Sequence, residues 1–517
     1  MGTPYLPPDR EVRPTPRRRQ TTSGALIEPN LCAYQPRFIM SPLEISLRRT
    51  DDNRHPPWKS EHVIGSTMWQ RRVQRSCVTL AVALLASVAG CSTSDGVPPP
   101  VPSDAGLLTF PRTATYFLFQ HDLPTAQELA QYDVVVIDNE WGHRMPRDFF
   151  DDVRAANPRT RLLAYVNLID HPDRLGSEEY WRNRYRLWQF DSHGESQFPD
   201  EWLAKRADGT VVSEWPDTSM SNLTDQGPRV DGWSFGRYAA DWVVDTVWSQ
   251  GVWDGIFLDV WGDRIYSADS DRWDIDRNGT DEADAQIYGE DMPWGRGIEE
   301  AERIMRDRMP TALLVANGDR TLRDRQLDGR AWENFADPRA ERDPRFDIEQ
   351  YIRLTARGDH REPGLAMTIN KLGPQPSSER ELTRARFFLT ATLLQDGYWA
   401  PMGSDYGEPA YIDEMDGGGL GSGYLGDPIA PNPTLAHVEA QYSGTAGIGM
   451  VAPNVFRRDF DHGIVLVNSS DEPATVALGG TFRHLTGTAD PETNDGSTTD
   501  RVTIRSYSGV VLLRNSQ

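Results

Sequence analysis

Cysteine is nearly absent: this 517-residue chain has three, Cys32, Cys77 and Cys91. That excludes a disulfide-stapled fold and a cysteine-built metal centre. Histidine is also sparse, ten residues without a His-Glu-x-x-His pair or any other zinc-ligand spacing. There is no Gly-x-Ser-x-Gly elbow for a serine nucleophile, no P-loop, and no Gly-rich turn for a dinucleotide. Lysine is reduced to Lys59, Lys205 and Lys371 beside 51 Arg. Positive charge is short overall, and the formal net charge is −23. Residues 1–90 carry 13 Lys and Arg against 7 Asp and Glu, so the rest stands at −29. A body so acidic argues against nucleic acid as a partner.

The N-terminal region divides by composition. Residues 1–67 are rich in Pro and Arg, lack periodicity, and read as a disordered or untranslated extension, with translation starting at Met68. The basic stretch Met68-Trp69-Gln70-Arg71-Arg72-Val73-Gln74-Arg75 precedes an apolar run from Cys77 to Gly90. That run is too short for a membrane span and has the form of a secretory signal. It ends in Ser87-Val88-Ala89-Gly90-Cys91, which resembles the bacterial lipobox. The resemblance implies cleavage before Cys91, lipid on that cysteine, and an extracytoplasmic protein anchored at the outer membrane or cell surface. Residues 91–112, with Pro98-Pro99-Pro100, then form a tether.

From residue 113 the pattern alternates between strand and helix. Strands are expected at Thr115–Gln120, Asp133–Asp138, Arg161–Leu168, Ile256–Leu258, Ala312–Ala316, Gly329–Phe335, Leu365–Asn370 and Tyr398–Met402. Helices are expected between them, one starting at a Thr125/Glu128 capping box and another covering Arg147–Ala156. Eight such units in residues 113–435 predict an α/β chain folded as a (β/α)8 TIM barrel, with a doubly wound sheet as the alternative. After residue 436, short alternating segments predict a small C-terminal all-β sandwich.

The stretch Trp253-Asp254-Gly255-Ile256-Phe257-Leu258-Asp259-Val260-Trp261 organises the rest. A buried parallel strand has no reason to end in an acid unless that end opens onto a site, and in a barrel the carboxyl ends carry the chemistry. Asp259 is thus a candidate catalytic carboxylate, against the plainer reading of a cap or surface turn. Trp261 is a candidate stacking surface for a sugar. Other strand ends supply Asp138, Glu140, Trp141, Tyr165, Asn167, Asn317 with Asp319, and Glu333; with Lys371 and His143 these are candidate substrate contacts. Paired carboxyls among aromatics are the equipment of glycoside hydrolysis, one acid kept protonated and one ionised. Glu333, between Trp332 and Asn334, is the candidate general acid and Asp259 the nucleophile or base. A structural salt bridge is the competing role for Glu333, and Asp138 and Glu140 are the substitutes.

The acidic segment 274–285 matches the front half of a calcium loop, with Asp274, Asp276, Asn278 and Gly279 at positions one, three, five and six. Position twelve is Ala285, so the last ligand is missing or comes from Asp284. A structural calcium and a metal-free turn both fit; no other cofactor is required.

Several of these segments together resemble the hypothetical glycosyl hydrolase families of bacterial secreted proteins. They are Asp254-Gly255-Ile256-Phe257-Leu258-Asp259, the acidic loop with Asn278-Gly279, Trp294 with Gly297, Ala316-Asn317-Gly318 and Trp332-Glu333-Asn334-Phe335. Ala207-Asp208-Gly209 through Trp215, and Asn222-Leu223-Thr224, are also similar. The resemblance covers about residues 113 to 410. It implies a hydrolase barrel with an Asp after strand four and an acid after strand six, the positions of Asp259 and Glu333. The expected function is a monomeric, surface-anchored glycoside hydrolase acting on an extracellular polysaccharide or oligosaccharide. A non-catalytic glycan-binding barrel is the main alternative and a calcium-stabilised structural lipoprotein a further one.

Overall fold

The computed structural model describes residues 109–118, 123–172, 198–214, 218–265, 269–318, 326–340, 342–355, 364–372, 376–403 and 410–515. The signal, the lipobox and tether residues 91–108, together with Trp181, Trp188, Trp215 and Asp319, lie outside the described residues; residues 109–112, expected in the tether, instead pack against the protein, with Phe110 fully buried and its N–H on the Gly426 carbonyl at 3.1 Å.

Eight parallel strands form the central sheet: β1 (Ala114–Phe117), β2 (Val134–Asp138), β3 (Arg161–Asn167), β4 (Gly255–Asp259), β5 (Leu313–Asn317), β6 (Gly329–Glu333), β7 (Leu365–Lys371) and β8 (Tyr398–Met402). Each hydrogen-bonds to the next in chain order. A parallel bridge between Thr113 and Trp399 brings β8 back to β1 and closes the barrel. All eight expected strands are present, most with bounds shifted by one or two residues. The capping box at Thr125 and the helix Arg147–Ala156 are also present.

The period-two alternation of each strand decides what faces where. Val134 and Val136, Leu163 and Tyr165, Phe257, Leu313 and Val315, Ala331, Met367 and Ile369 fill the lumen. Their neighbours, among them Val135, Ile137, Ile256, Leu258, Leu314 and Ala316, pack outward against the helices. Continuing the inward series by one step reaches Asp138, Asn167, Asp259, Asn317, Glu333 and Lys371. A polar ring at the carboxyl end is therefore written into the parity of the strands.

The amino ends carry acids of a different kind, each just before a strand. Asp133 accepts the Thr113 amide at 3.0 Å, Asp254 the Leu162 amide at 2.8 Å and Asp328 the Leu314 amide at 2.8 Å. Arg159, Arg154 and Arg306, respectively, pair with these three carboxylates. Each staples its strand to a neighbour at the barrel floor, away from the end that carries the chemistry.

The C-terminal region is a single six-stranded antiparallel sheet, where two stacked sheets were expected. Its strands are β9 (Ile448–Ala452), β10 (Val455–Asp459), β11 (Gly463–Asn468), β12 (Ala474–His484), β13 (Thr498–Ile504) and β14 (Ser508–Arg514). They lie in the order β9-β10-β11-β14-β12-β13. The register slips between Ala477 and Phe482, so β12 bends and pairs with both β13 and β14. Bending wraps one face around Ile464, Leu466, Val476, Leu478 and Leu512. The other face lies on the barrel helix Glu379–Thr392, which takes the place of a second sheet.

Candidate active site

Asp259 ends β4 half-buried, and its carboxylate is held from three sides. The Tyr165 hydroxyl donates to Oδ2 at 2.5 Å, the Asn317 amide to Oδ1 at 2.8 Å, and the Val260 backbone N–H to Oδ1 at 2.9 Å. Tyr165 and Asn317 come from the strands on either side of β4. The chain leaves β4 through Val260 at φ +56°, a left-handed conformation costly for a β-branched residue. Two contacts hold it there. The Trp261 N–H donates to the Asn317 carbonyl at 2.8 Å. Gly318, at φ +152°, lets the two loops touch, since a Cβ there would lie 2.7 Å from the Gly262 nitrogen.

Glu333 ends β6 at the matching inward position. Burial pushes its carboxyl up to about 7, and the nearby Asp259 charge adds to the rise; Lys371 and a hydrogen bond from Asn317 pull the other way. Asn317, on the strand between the two, donates to Asp259. An acid that still holds its proton near neutrality beside one gripped by three donors is the division of labour expected of an acid and a nucleophile. Lys371 is close and is the cation that opposes the rise.

Other expected contacts take different places. Trp261 is fully buried, with its indole N–H on Glu302 at 2.9 Å, so it offers no face to a sugar. The turn at Val260 drives it beneath the site. Trp141 is likewise buried, with the Arg144 guanidinium 4.4 Å over its ring. Glu140 pairs with Arg144 at 3.3 Å, which fits a structural role. Asp138 is fully buried beside Tyr165 in the register, and His143 is exposed. The Asn167 side chain folds back, its Oδ1 accepting the amides of Ile169 and Asp170 at 2.9 and 3.1 Å.

That turn delivers a residue the sequence analysis missed. Asp170 is 3% exposed and opens a short strand paired with Thr218–Met220. Burial, and the charge of Asp259, push its carboxyl up to about 7. Glu214, also missed, is raised well above the ordinary carboxylate range by burial and by the charges of Asp170 and Asp259. The only advance signal for Asp170 was the Asn-x-x-Asp spacing after β3; for Glu214 there was none.

The acidic loop partly follows the calcium pattern. Carboxylate oxygens of Asp274, Asp276 and Glu282 lie within 4.8 Å of one another. Asp274 also accepts the amides of Asn278 and Gly279 at 3.0 and 2.8 Å, and Asp276 that of Asn278 at 3.1 Å. Asp284, the expected last ligand, turns instead to Arg264 at 2.5 Å. Asp284 opens the helix Asp284–Ile287, and Glu282 is the third carboxylate of the group.

Residues 154–464, more than half of the chain, match the model of Hypothetical glycosyl hydrolase family 15. The chain belongs to that family. It is accordingly a glycoside hydrolase, with a carbohydrate as substrate. No curated protein matches it in sequence. Among solved structures it is similar to the glycoside hydrolase domain of PelA from Pseudomonas aeruginosa, at 15% identity over 59% of this chain and 100% of that one, TM-score 0.34. It is also similar to the cyclic α-maltosyl-(1→6)-maltose hydrolase from Arthrobacter globiformis, at 13% identity over 79% and 99%, TM-score 0.35.

Proposed function

We propose that this glycoside hydrolase cleaves an extracellular polysaccharide or oligosaccharide with retention of anomeric configuration, using Asp259 as nucleophile and Glu333 as general acid and then base. One observation carries the roles: Asp259 is gripped by Tyr165, Asn317 and the Val260 amide, while Glu333, close enough to feel its charge, keeps its proton to about 7. Retention requires the two carboxyls to lie ~5–5.5 Å apart, whereas inversion places them ~6.5–9.5 Å apart with room for a water. Asp259 attacks the anomeric carbon while Glu333 gives its proton to the departing oxygen. Glu333 then takes a proton from the water that releases the sugar from Asp259.

The lipobox supports export and attachment through lipid on Cys91. Among the described residues, no helix is long and apolar enough to cross a membrane.

The test is a screen of the full chain on polysaccharides and aryl glycosides beside Asp259→Asn and Glu333→Gln. Each substitution should lower kcat about 10³-fold with folding intact, and proton NMR should show the starting anomer as first product. Inverted product would exclude the covalent route. Glycan retention without cleavage by all three proteins would leave a binding barrel. In the same cells the protein should fractionate with membranes, and Cys91→Ser should release it; equal partitioning would remove the anchor.

A further inference from the structure

Two carboxyl oxygens near Asp259 are buried and make no hydrogen bond: Asp170 Oδ2 and Glu214 Oε2. The other Asp170 oxygen has a long contact from the Thr218 hydroxyl, 3.4 Å. Buried carboxyls are ordinarily satisfied by amides, by Arg or by Lys. This chain has 51 Arg and satisfies Asp133, Asp254 and Asp328 in that way at the barrel floor. Leaving two unsatisfied at the opposite end marks a place kept for a ligand.

The local fold aims them at one spot. Asn167 is in register with Asp259, and its Asx turn sets Asp170 three residues further along, close enough to feel the Asp259 charge. Glu214 comes from the neighbouring segment, which backbone hydrogen bonds tie to Met220, the register partner of Asp170. The Val212 N–H donates to the Ala204 carbonyl, and Met220 donates to that of Val212, each at 2.8 Å. Val212 is wholly buried, and Glu214 follows it by two residues. It senses both Asp170 and Asp259. The pair is not set out for a cation: among the described residues the one carboxylate group with metal-ligand spacing is that of Asp274, Asp276 and Glu282. Two carboxyls without a metal or a guanidinium suit sugar hydroxyls, which donate to carboxylate oxygens and accept from a carboxylic acid.

We propose that Asp170 and Glu214 are the specificity-determining pair of this site, binding two hydroxyl groups of the pyranose ring whose anomeric carbon lies against Asp259. The assignment rests on Asp259 being the reacting carboxylate.

The test reads binding and cleavage separately. Glucose, galactose and mannose, with their 2-, 3-, 4- and 6-deoxy forms, are titrated against the full chain by thermal shift and calorimetry. The variants are Asp170→Asn, Glu214→Gln and Asp259→Asn. At least one hexose should bind wild type and Asp259→Asn comparably and bind Asp170→Asn and Glu214→Gln at least tenfold more weakly. A deoxy sugar lacking the contacted hydroxyl should bind wild type and the matching variant equally, which a merely structural role would not produce. Melting temperatures of the two amide variants at or above wild type show that they fold. If no hexose binds, or if the two variants bind it as wild type does, the proposal is wrong. If hexose binding follows the proposal but Asp259→Asn still cleaves aryl glycosides, the pair stands as a sugar reader and the assignment of the nucleophile falls instead.

Discussion

Glu333 and Asp170 are carboxyls held protonated up to about 7 where their ordinary values are 4.5 and 3.8. For both, the first cause is burial, which penalises the charged form. The consequence for activity has a definite sign. Glu333 must carry its proton when the leaving oxygen departs, so kcat/KM should fall about tenfold per pH unit above pH ~7. The consequence for stability has the same direction. The unfolded chain releases these protons near pH 4, while the folded chain keeps them to about pH 7. Stability is therefore greatest below about pH 4 as far as these groups are concerned, declines between pH ~4 and ~7, and is level above. A shift of this size amounts to a few kcal/mol for each group. Chemical denaturation at pH 5.5 and 8.0 should show the chain weaker at 8.0, and Asp170→Asn should reduce that difference. An unchanged difference would mean that Asp170 is ionised in the folded protein.

At the scale of the element, the two ends of each barrel strand make opposite demands on an acid. In β6, Asp328 precedes the first residue and Glu333 is the last, about 16 Å apart along an extended chain. Asp328 is 3% exposed, accepts the Leu314 amide at 2.8 Å and pairs with Arg306 at 2.6 Å. Asp328→Ala strands a buried guanidinium and should cost about 3–5 kcal/mol in stability. The kcat of the molecules that remain folded should stay unchanged. A large fall in kcat with normal melting would reverse the roles of floor and mouth. This division explains what was legible in advance. The strands were, because Val134-Val135-Val136-Ile137 and its counterparts are buried on both faces and bounded by polar residues. Asp259 and Glu333 were, because each ends such a run at an inward position. Trp261 and Trp141 misled, because an aromatic after a strand reads as exposed unless the turn is known, and Val260 at φ +56° has no signature in the sequence. Asp170 and Glu214 stayed hidden because they reach the site through pairing in the long loop after β3. The register of short irregular strands leaves no periodicity to read.

Across the whole molecule, barrel and C-terminal sheet share one apolar core. Phe387, Leu389 and Ala391 of the helix Glu379–Thr392 belong to the same buried cluster as Val465, Val467, Val511 and Leu513 of the sheet. The contact is close enough that a Cβ on Gly509 would lie 1.9 Å from the Thr390 hydroxyl. Buried polar groups fasten the same join. Arg458 donates to the Leu393 and Ala430 carbonyls at 3.0 and 2.8 Å and pairs with Asp396. Asp413 accepts the amides of Thr488, Ala489 and Asp490 at 3.0, 3.1 and 2.9 Å, which holds its carboxyl below the usual range. Arg386, from the same barrel helix, bridges Glu414 and Asp490 at 2.5 and 2.6 Å. A sheet that serves as the second layer for a barrel helix cannot unfold alone without exposing that helix. Calorimetry should therefore show one transition for barrel and sheet. Gly509→Val, which forces the sheet off the helix, should lower the melting of the barrel aromatics and of the sheet together. Separate transitions, or a Gly509→Val variant in which only the sheet melts early, would make the C-terminal sheet an independent domain resting on a self-sufficient barrel.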